Sequence, residues 1–177
     1  MYRLCFLFLA TLVPVALVTG AVYQAPAAFL DATFAGHPPE PAEMWLTGAI
    51  RKTSTQILGH PYPGLRIRYW AQAARSAWIL EEIGKEKPIT VGLVVNHHAL
   101  ERVRVLEFRE SRGWEVRYPS FTEQFNGARL TPEQQLDREV DGISGATLSV
   151  RALEKLARLA LYLDSRIPPH HDTPPQK

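Results

Sequence analysis

Cysteine is almost absent. A single one, Cys5, stands among 177 residues, so no intrachain disulfide can form and the redox compartment is not written in the cysteines. Charge of one sign is missing too: 20 Lys and Arg face 18 Asp and Glu, a formal net charge of +2, which gives no reason to expect nucleic acid as a partner. Hydrolase and nucleotide signatures are lacking, with no Gly-x-Ser-x-Gly, no His-Glu-x-x-His and no glycine-rich dinucleotide loop. The two His-His pairs do not read as metal sites. His97-His98 falls on an expected turn, where adjacent side chains point apart and no third ligand stands at a fitting spacing. His170-His171 lies between Pro168-Pro169 and Pro174-Pro175, in a tail (165–177) of disordered composition. His60, set between chain breakers, reads as a solvent-exposed loop residue. No metal is expected.

Long apolar runs are scarce as well, and the one present is at the start. Arg3 precedes an uncharged, mostly apolar stretch from Leu4 to Val18, and Thr19-Gly20-Ala21 offers a small-residue cleavage site. Counted from Leu4 to Val22 the run has 19 residues, enough to cross a bilayer once. Residues 1–25 therefore read as a signal peptide or a transmembrane anchor. In either case Arg3 stays inside and the remainder is placed outside the cytoplasm, on the periplasmic side, exported or anchored. Residues 26–43 are rich in proline and alanine around His37-Pro38-Pro39-Glu40-Pro41 and are expected to be a spacer. Residues 44–164 then form one folded domain of ordinary size.

Within that domain a helix is expected from Ala42 to about Leu58, stopped by Gly59-His60-Pro61-Tyr62-Pro63-Gly64. Four strand patterns follow, at Leu65–Trp70, Ser76–Ile83, Pro88–Asn96 and Arg102–Phe108, with turns rather than helices between them. That order implies an antiparallel meander. A last, amphipathic helix runs from Leu148 to Leu163, with Leu148, Ala152, Leu156, Leu159, Ala160 and Leu163 on one face. The fold class is α+β: an antiparallel sheet packed with helices, preceded by the N-terminal apolar segment.

Just before the last helix stands Asp141-Gly142-Ile143-Ser144-Gly145-Ala146-Thr147. Ser144 suits a helix N-cap, and Gly145 permits positive φ and close approach to the backbone. The amides and dipole of a helix start favour an anion, phosphate above all, and Thr147 would hold its hydroxyl within reach. Arg151, one turn on, is a candidate partner for that phosphate or an ordinary solvated helix charge.

The stretch resembles the covalent flavinylation motif, Asp-x-x-Ser/Thr-Gly-Ala-Thr/Ser, of the FMN-binding domain family, which includes the FMN-carrying subunits of sodium-pumping NADH:quinone oxidoreductase and related electron-transport complexes. The resemblance implies that FMN is joined through its phosphate to Thr147 by a separate FMN transferase. Asp141, Ser144, Gly145 and Ala146 would complete the motif. It extends over roughly residues 65–163. The family's Glu-Thr-Pro-Gly segment is matched by Glu110-Ser111-Arg112-Gly113, with Glu110 and Gly113 kept and Arg112 in place of proline. Trp78, Trp114 and Tyr118 are candidates to stack on the isoalloxazine ring. The implied function is electron transfer with a membrane redox protein or complex, the membrane itself being reached through residues 4–22 if these are uncleaved. Two other classes stay open: a flavin-dependent reductase acting on ferric iron or a quinone, and a non-redox extracytoplasmic binding module.

Overall fold

The structure is a computed structural model that describes residues 20–168. Residues 1–19 and 169–177 lie outside it, and with them most of the expected signal or anchor and the His170-His171 pair. The described chain opens with a two-residue strand β1 (Ala21–Val22), helix α1 (Pro26–Thr33), strand β2 (Ala42–Trp45) and helix α2 (Gly48–Leu58). Four longer strands follow: β3 (Arg66–Gln72), β4 (Arg75–Ile83), β5 (Pro88–Asn96) and β6 (Ala99–Phe108). A 3₁₀ turn (Trp114–Arg117), a one-turn helix α3 (Pro119–Thr122) and a second 3₁₀ turn (Glu123–Phe125) lead towards the long helix α4 (Thr147–Asp164). All pairings are antiparallel, in the order β1-β6-β5-β4-β3-β2. The α+β class and the meander expected from the sequence are both present.

Tight turns join the long strands. The β5–β6 connection is His97-His98, both left-handed at φ 51° and 58°, the two-residue geometry that matches the twist of paired strands. Strand β5 is buried from Ile89 to Val95. Ile89, Val91, Leu93 and Val95 belong to the larger core with α2 and α4, whereas Val94 joins Ala77 and Leu106 in a second cluster with Phe29, Leu30 and Phe34. Side-chain alternation thus sends successive residues of one strand into two different cores.

The second core corrects the expected spacer. Proline at the first turn is compatible with a helix, and Pro26–Thr33 forms one that buries Phe29 and Leu30 on the sheet. An added Cβ at Gly92 would sit 2.7 Å from the Phe29 ring, so this glycine makes room for the aromatic residue that attaches α1. Residues 21–25 are folded as well: Ala21 and Val22 pair with Phe108 and Glu107, and the Tyr23 amide donates to the Leu106 carbonyl at 2.8 Å. Ala42–Trp45, expected as helix, is an edge strand on β3, because alternate burial of Met44 and Leu46 satisfies a strand period before Gly48 opens α2. Gly59, at φ 81°, closes α2 with its amide on the Thr55 carbonyl at 2.8 Å. At the far end Ile167 still packs against the core and its amide donates to Asp164, so the fold runs past residue 164. Among the described residues no helix is long and apolar enough to cross a membrane.

Helix α4 is the axis of the larger core. Leu153, Leu156, Ala157, Leu159, Ala160 and Leu163 are fully buried; burial of each leucine contributes about 2 kcal/mol. The residues of 128–143 lie over it, with Leu130, Leu136, Val140 and Ile143 packed against the same cluster. Leu148 departs from this pattern. Expected on the buried face, it is 44% exposed.

Candidate functional site

Helix α4 does not begin at Ser144. Gly145 adopts φ 82°, a left-handed conformation that cannot lie inside a right-handed helical turn, so helical geometry starts only at Thr147. Ser144 and Gly145 make the turn that leads in, closed by the Ala146 amide donating to the Ile143 carbonyl at 2.9 Å. The N-cap is Ala146, and no side chain caps the helix. Its first amides and the positive end of its dipole thus have no side-chain anion drawn from the motif itself. Thr147 is exposed at this end.

A cleft of about 530 Å³ opens beside it, lined by Gly145, Ala146, Thr147, Leu148 and Ser149 from the helix start and by Lys85, Glu110, Ser111 and Arg112 from the sheet side. The volume is that of a small-ligand site. Of the motif's expected residues, Gly145, Ala146, Thr147 and Glu110 come together here. Asp141 and Ser144 are exposed and do not line the cleft; the Asp141 amide is held by Gln124 Oε1 at 2.8 Å.

Glu110 is a structural clasp as well as a cleft residue. Its Oε1 accepts hydrogen bonds from three consecutive amides of the β4–β5 turn, those of Lys85, Glu86 (2.6 Å) and Lys87 (2.9 Å). Partial burial disfavours the ionised carboxylate, but the three amides together outweigh it and hold the carboxyl below its ordinary range. The contact demands a glycine on the other side, since a Cβ at Gly84 would lie 2.9 Å from that same oxygen. Gly113, four residues after Arg109, does the matching task against the helix. It sits at φ 84°, and a Cβ there would come 2.7 Å from Ser149 Oγ and 3.2 Å from Ala146 Cβ. The spacing Glu110-x-x-Gly113 therefore ties the β4–β5 turn to the start of α4, with Lys85 and Arg112 left at the cleft.

A scan against family models gives the match that this geometry invites, to the FMN-binding domain over residues 84–162. Residues 84–162 belong to the FMN-binding domain family. The matched segment opens at the glycine beside Glu110 and closes near the end of α4, so it spans both walls of the cleft. The protein is accordingly a flavin-binding one. No curated protein and no solved structure matches the chain.

The lining suits the phosphate end of FMN. Two cations, Lys85 and Arg112, an open helix start and an exposed hydroxyl fit an anionic ester, and Leu148 gives the FMN-binding domain an apolar lip. Sequence reasoning missed Lys85, Leu148 and Ser149. Arg112 was visible only as a departure from the family's proline; the structure turns that departure into a positive charge next to Thr147. Arg151 does not line the cleft; it is exposed near Glu154, whose pKa burial raises above its ordinary range against the opposing charges of Arg158 and Arg151. Trp78 is excluded as a flavin-stacking residue, being fully buried and stacked on Tyr69 at 4.9 Å between centroids. Trp114 and Tyr118 remain exposed, at 41% and 42%, on the turn that follows Gly113.

Two buried polar groups lie away from the cleft. Glu82 accepts from Lys155 Nζ at 2.9 Å and from His60 Nε2 at 3.0 Å. Both His60 nitrogens face acceptors, since Nδ1 lies 3.0 Å from the Pro61 carbonyl. That carbonyl first, then Glu82, raises the imidazole's pKa above its ordinary value against the opposing effect of burial. His60 is a loop residue with a side chain 42% exposed, as expected, and in addition hydrogen-bonds the buried Glu82. At the C-terminal end of α4, Asp164 accepts from Ser76 at 2.6 Å and from His98 Nδ1 at 2.7 Å, and Trp78 Nε1 donates to Ser76 Oγ at 2.8 Å. Among the described residues no group of three metal-ligating side chains forms.

Proposed function

We propose that the protein is an extracytoplasmic electron-transfer flavoprotein that carries FMN covalently, through a phosphoester to Thr147, and works with a membrane redox protein or complex. The observation that supports this best is the exposed Thr147 hydroxyl at an uncapped helix start, facing Lys85 and Arg112 across a cleft in a domain of the FMN-binding family. FMN, when bound, supplies one- and two-electron redox chemistry; the chain supplies attachment and orientation. Lys85 and Arg112 would neutralise the phosphodiester, and the first amides of α4 would donate to its oxygens. Glu110 is a positioning residue, since it holds the Lys85 turn in place through the main chain. Asp141 and Ser144, exposed outside the cleft, are assigned to recognition by the FMN transferase rather than to contacts with the bound cofactor.

Attachment condenses the Thr147 hydroxyl with the phosphate, with net loss of water. No histidine lines the cleft, and its one carboxylate, Glu110, is engaged by amides, so the chain supplies no evident base to activate the hydroxyl. This is the reason to assign the bond-forming step to a separate transferase. An enzyme acting on ferric iron or a quinone is the second reading, favoured by the open side of the cleft.

The test is the intact mass of protein coexpressed with an FMN transferase and exported, with Thr147→Ala beside it. A gain equal to FMN less water in the wild type, absent from the variant, is the expected result. An unmodified wild-type mass in the presence of active transferase would overturn the covalent reading. Turnover of ferric iron or a quinone by the isolated, loaded protein would favour the reductase instead.

A further inference from the structure

The β1 edge of the sheet carries a cluster that flavin binding leaves unused. The Arg117 guanidinium lies 4.4 Å from the Tyr23 ring centroid, 5.3 Å from that of Trp114 and 5.1 Å from that of Tyr118. Trp114 and Tyr118 meet edge to face, yet each keeps about two fifths of its surface exposed, 41% and 42%. Val22, beside Tyr23, is 64% exposed. Three ring faces stabilise a cation, but they do not fill its donors. Arg117 makes no ion pair among the described residues, and its buried Nε has no hydrogen-bond partner. A guanidinium left in this state is suited to an external anion.

The same edge is basic on its other face. Arg102 and Arg104 of β6 line a shallow cleft with Tyr23, and neither makes an ion pair among the described residues. The carboxylates of Glu101 and Glu107 on the same strand are paired with Arg75 and Arg109, so neither is paired with Arg102, Arg104 or Arg117. Amphipathic rings with arginines beside them are the composition of a surface that sits at lipid headgroups, where Trp and Tyr are enriched and cations meet lipid phosphate.

The chain path favours a bilayer over a soluble partner. The apolar run that begins at Leu4 ends in the domain itself, since Ala21 and Val22 pair with Phe108 and Glu107 of β6. The 17 residues from Leu4 to Gly20 are what remains to cross a bilayer, at the lower limit for one span, and they lead directly to this edge. A run that entered a membrane would therefore bring this edge to the headgroups with no further movement.

We propose that the edge formed by Tyr23, Trp114, Arg117 and Tyr118 seats the domain on the headgroup region of an anionic bilayer, with Arg102 and Arg104 as further phosphate contacts. The inference rests on the membrane-associated part of the proposed function and is independent of the flavin bond. Gly113 links the seat to the cleft wall, so the Thr147 cleft would open beside the lipid surface, within reach of a membrane redox partner.

The test uses the full chain without transferase, so that no flavin is attached, reconstituted with vesicles of phosphatidylcholine alone or mixed with phosphatidylglycerol, with bromine on the acyl chains. Trp114→Tyr keeps an aromatic ring and removes the reporter. The expected result is bromolipid quenching of tryptophan emission that is mostly lost in Trp114→Tyr. In Arg117→Gln it should fall in the phosphatidylglycerol vesicles and stay unchanged in phosphatidylcholine. Flotation with the vesicles, but equal quenching in wild type and Trp114→Tyr, would overturn the seat and leave membrane association standing. Failure to float would overturn both.

Discussion

At its C-terminal end α4 is tied down by the Asp164 carboxylate, which holds Ser76 and His98, with Trp78 reaching the same serine. At its N-terminal end no side chain caps the helix, and Thr147 and Leu148 face the cleft exposed. Between them, Lys155 anchors the middle to buried Glu82. The contrast teaches how a small domain presents an exposed threonine on an open helix start without letting it wander. Rigidity comes from the buried half, and the exposed half is free to meet a ligand.

Changes in the buried half should act on stability and leave attachment chemistry intact wherever the domain still folds. The largest effect is expected from Lys155→Met, which leaves Glu82 charged and short of a partner in the core and should cost about 3 kcal/mol, read by chemical denaturation. Asp164→Ala removes two charge-assisted hydrogen bonds and should cost about 2 kcal/mol by the same measurement. At the cleft the pattern should invert. Lys85→Ala with Arg112→Ala is expected to leave the unfolding midpoint within about 0.5 kcal/mol of wild type while lowering the fraction of chains that gain the FMN mass. A large stability loss there, or normal loading, would break the division between the two halves.

Gly113→Ala sharpens the comparison because Gly113 connects the two walls. A left-handed alanine pressed on Ser149 should cost about 2 kcal/mol and also reduce loading, by displacing the helix start. The smallest effects are those of pH. Glu110 has a folded pKa below its unfolded value of about 4.3, so its contribution is fully present above that value and is lost as pH falls through the folded pKa. The thermal midpoint of wild type should therefore approach that of Glu110→Gln in acid and exceed it at neutral pH. His60 has the opposite sign. Its raised pKa stabilises the fold below about 6.5, and the benefit over His60→Ala should fade as pH rises through the folded value.

Much of the sheet was legible because strand period and turn residues agree from Leu65 to Phe108. Pro88–Asn96 was bounded to the residue, with proline at one end and the His97-His98 turn at the other. The helix-side wall of the candidate cleft was legible through residues that carry their own chemistry, Thr147 and Gly145. What stayed hidden depends on contacts distant in sequence. Phe29 looks like a minor apolar residue in a proline-alanine stretch until Gly92, far along the chain, makes room for its ring. Lys85 shows no signal alone; it is placed at the cleft by Glu110, from the loop after β6. Ser144 read as a cap because capping is a local rule, and the left-handed Gly145 overrode it.

The folding of residues 21–34 onto the sheet has a mechanical consequence. A disordered connection over residues 26–43 would have let a tethered domain range on the order of 20 Å from its point of attachment. With Val22 paired to β6 and Phe29 packed over Gly92, residues 21–34 add no slack to an anchored form of the chain. Under the proposed function, the reach of the flavin above the membrane would then be set by the residues before Gly20 alone, with nothing added by residues 21–34.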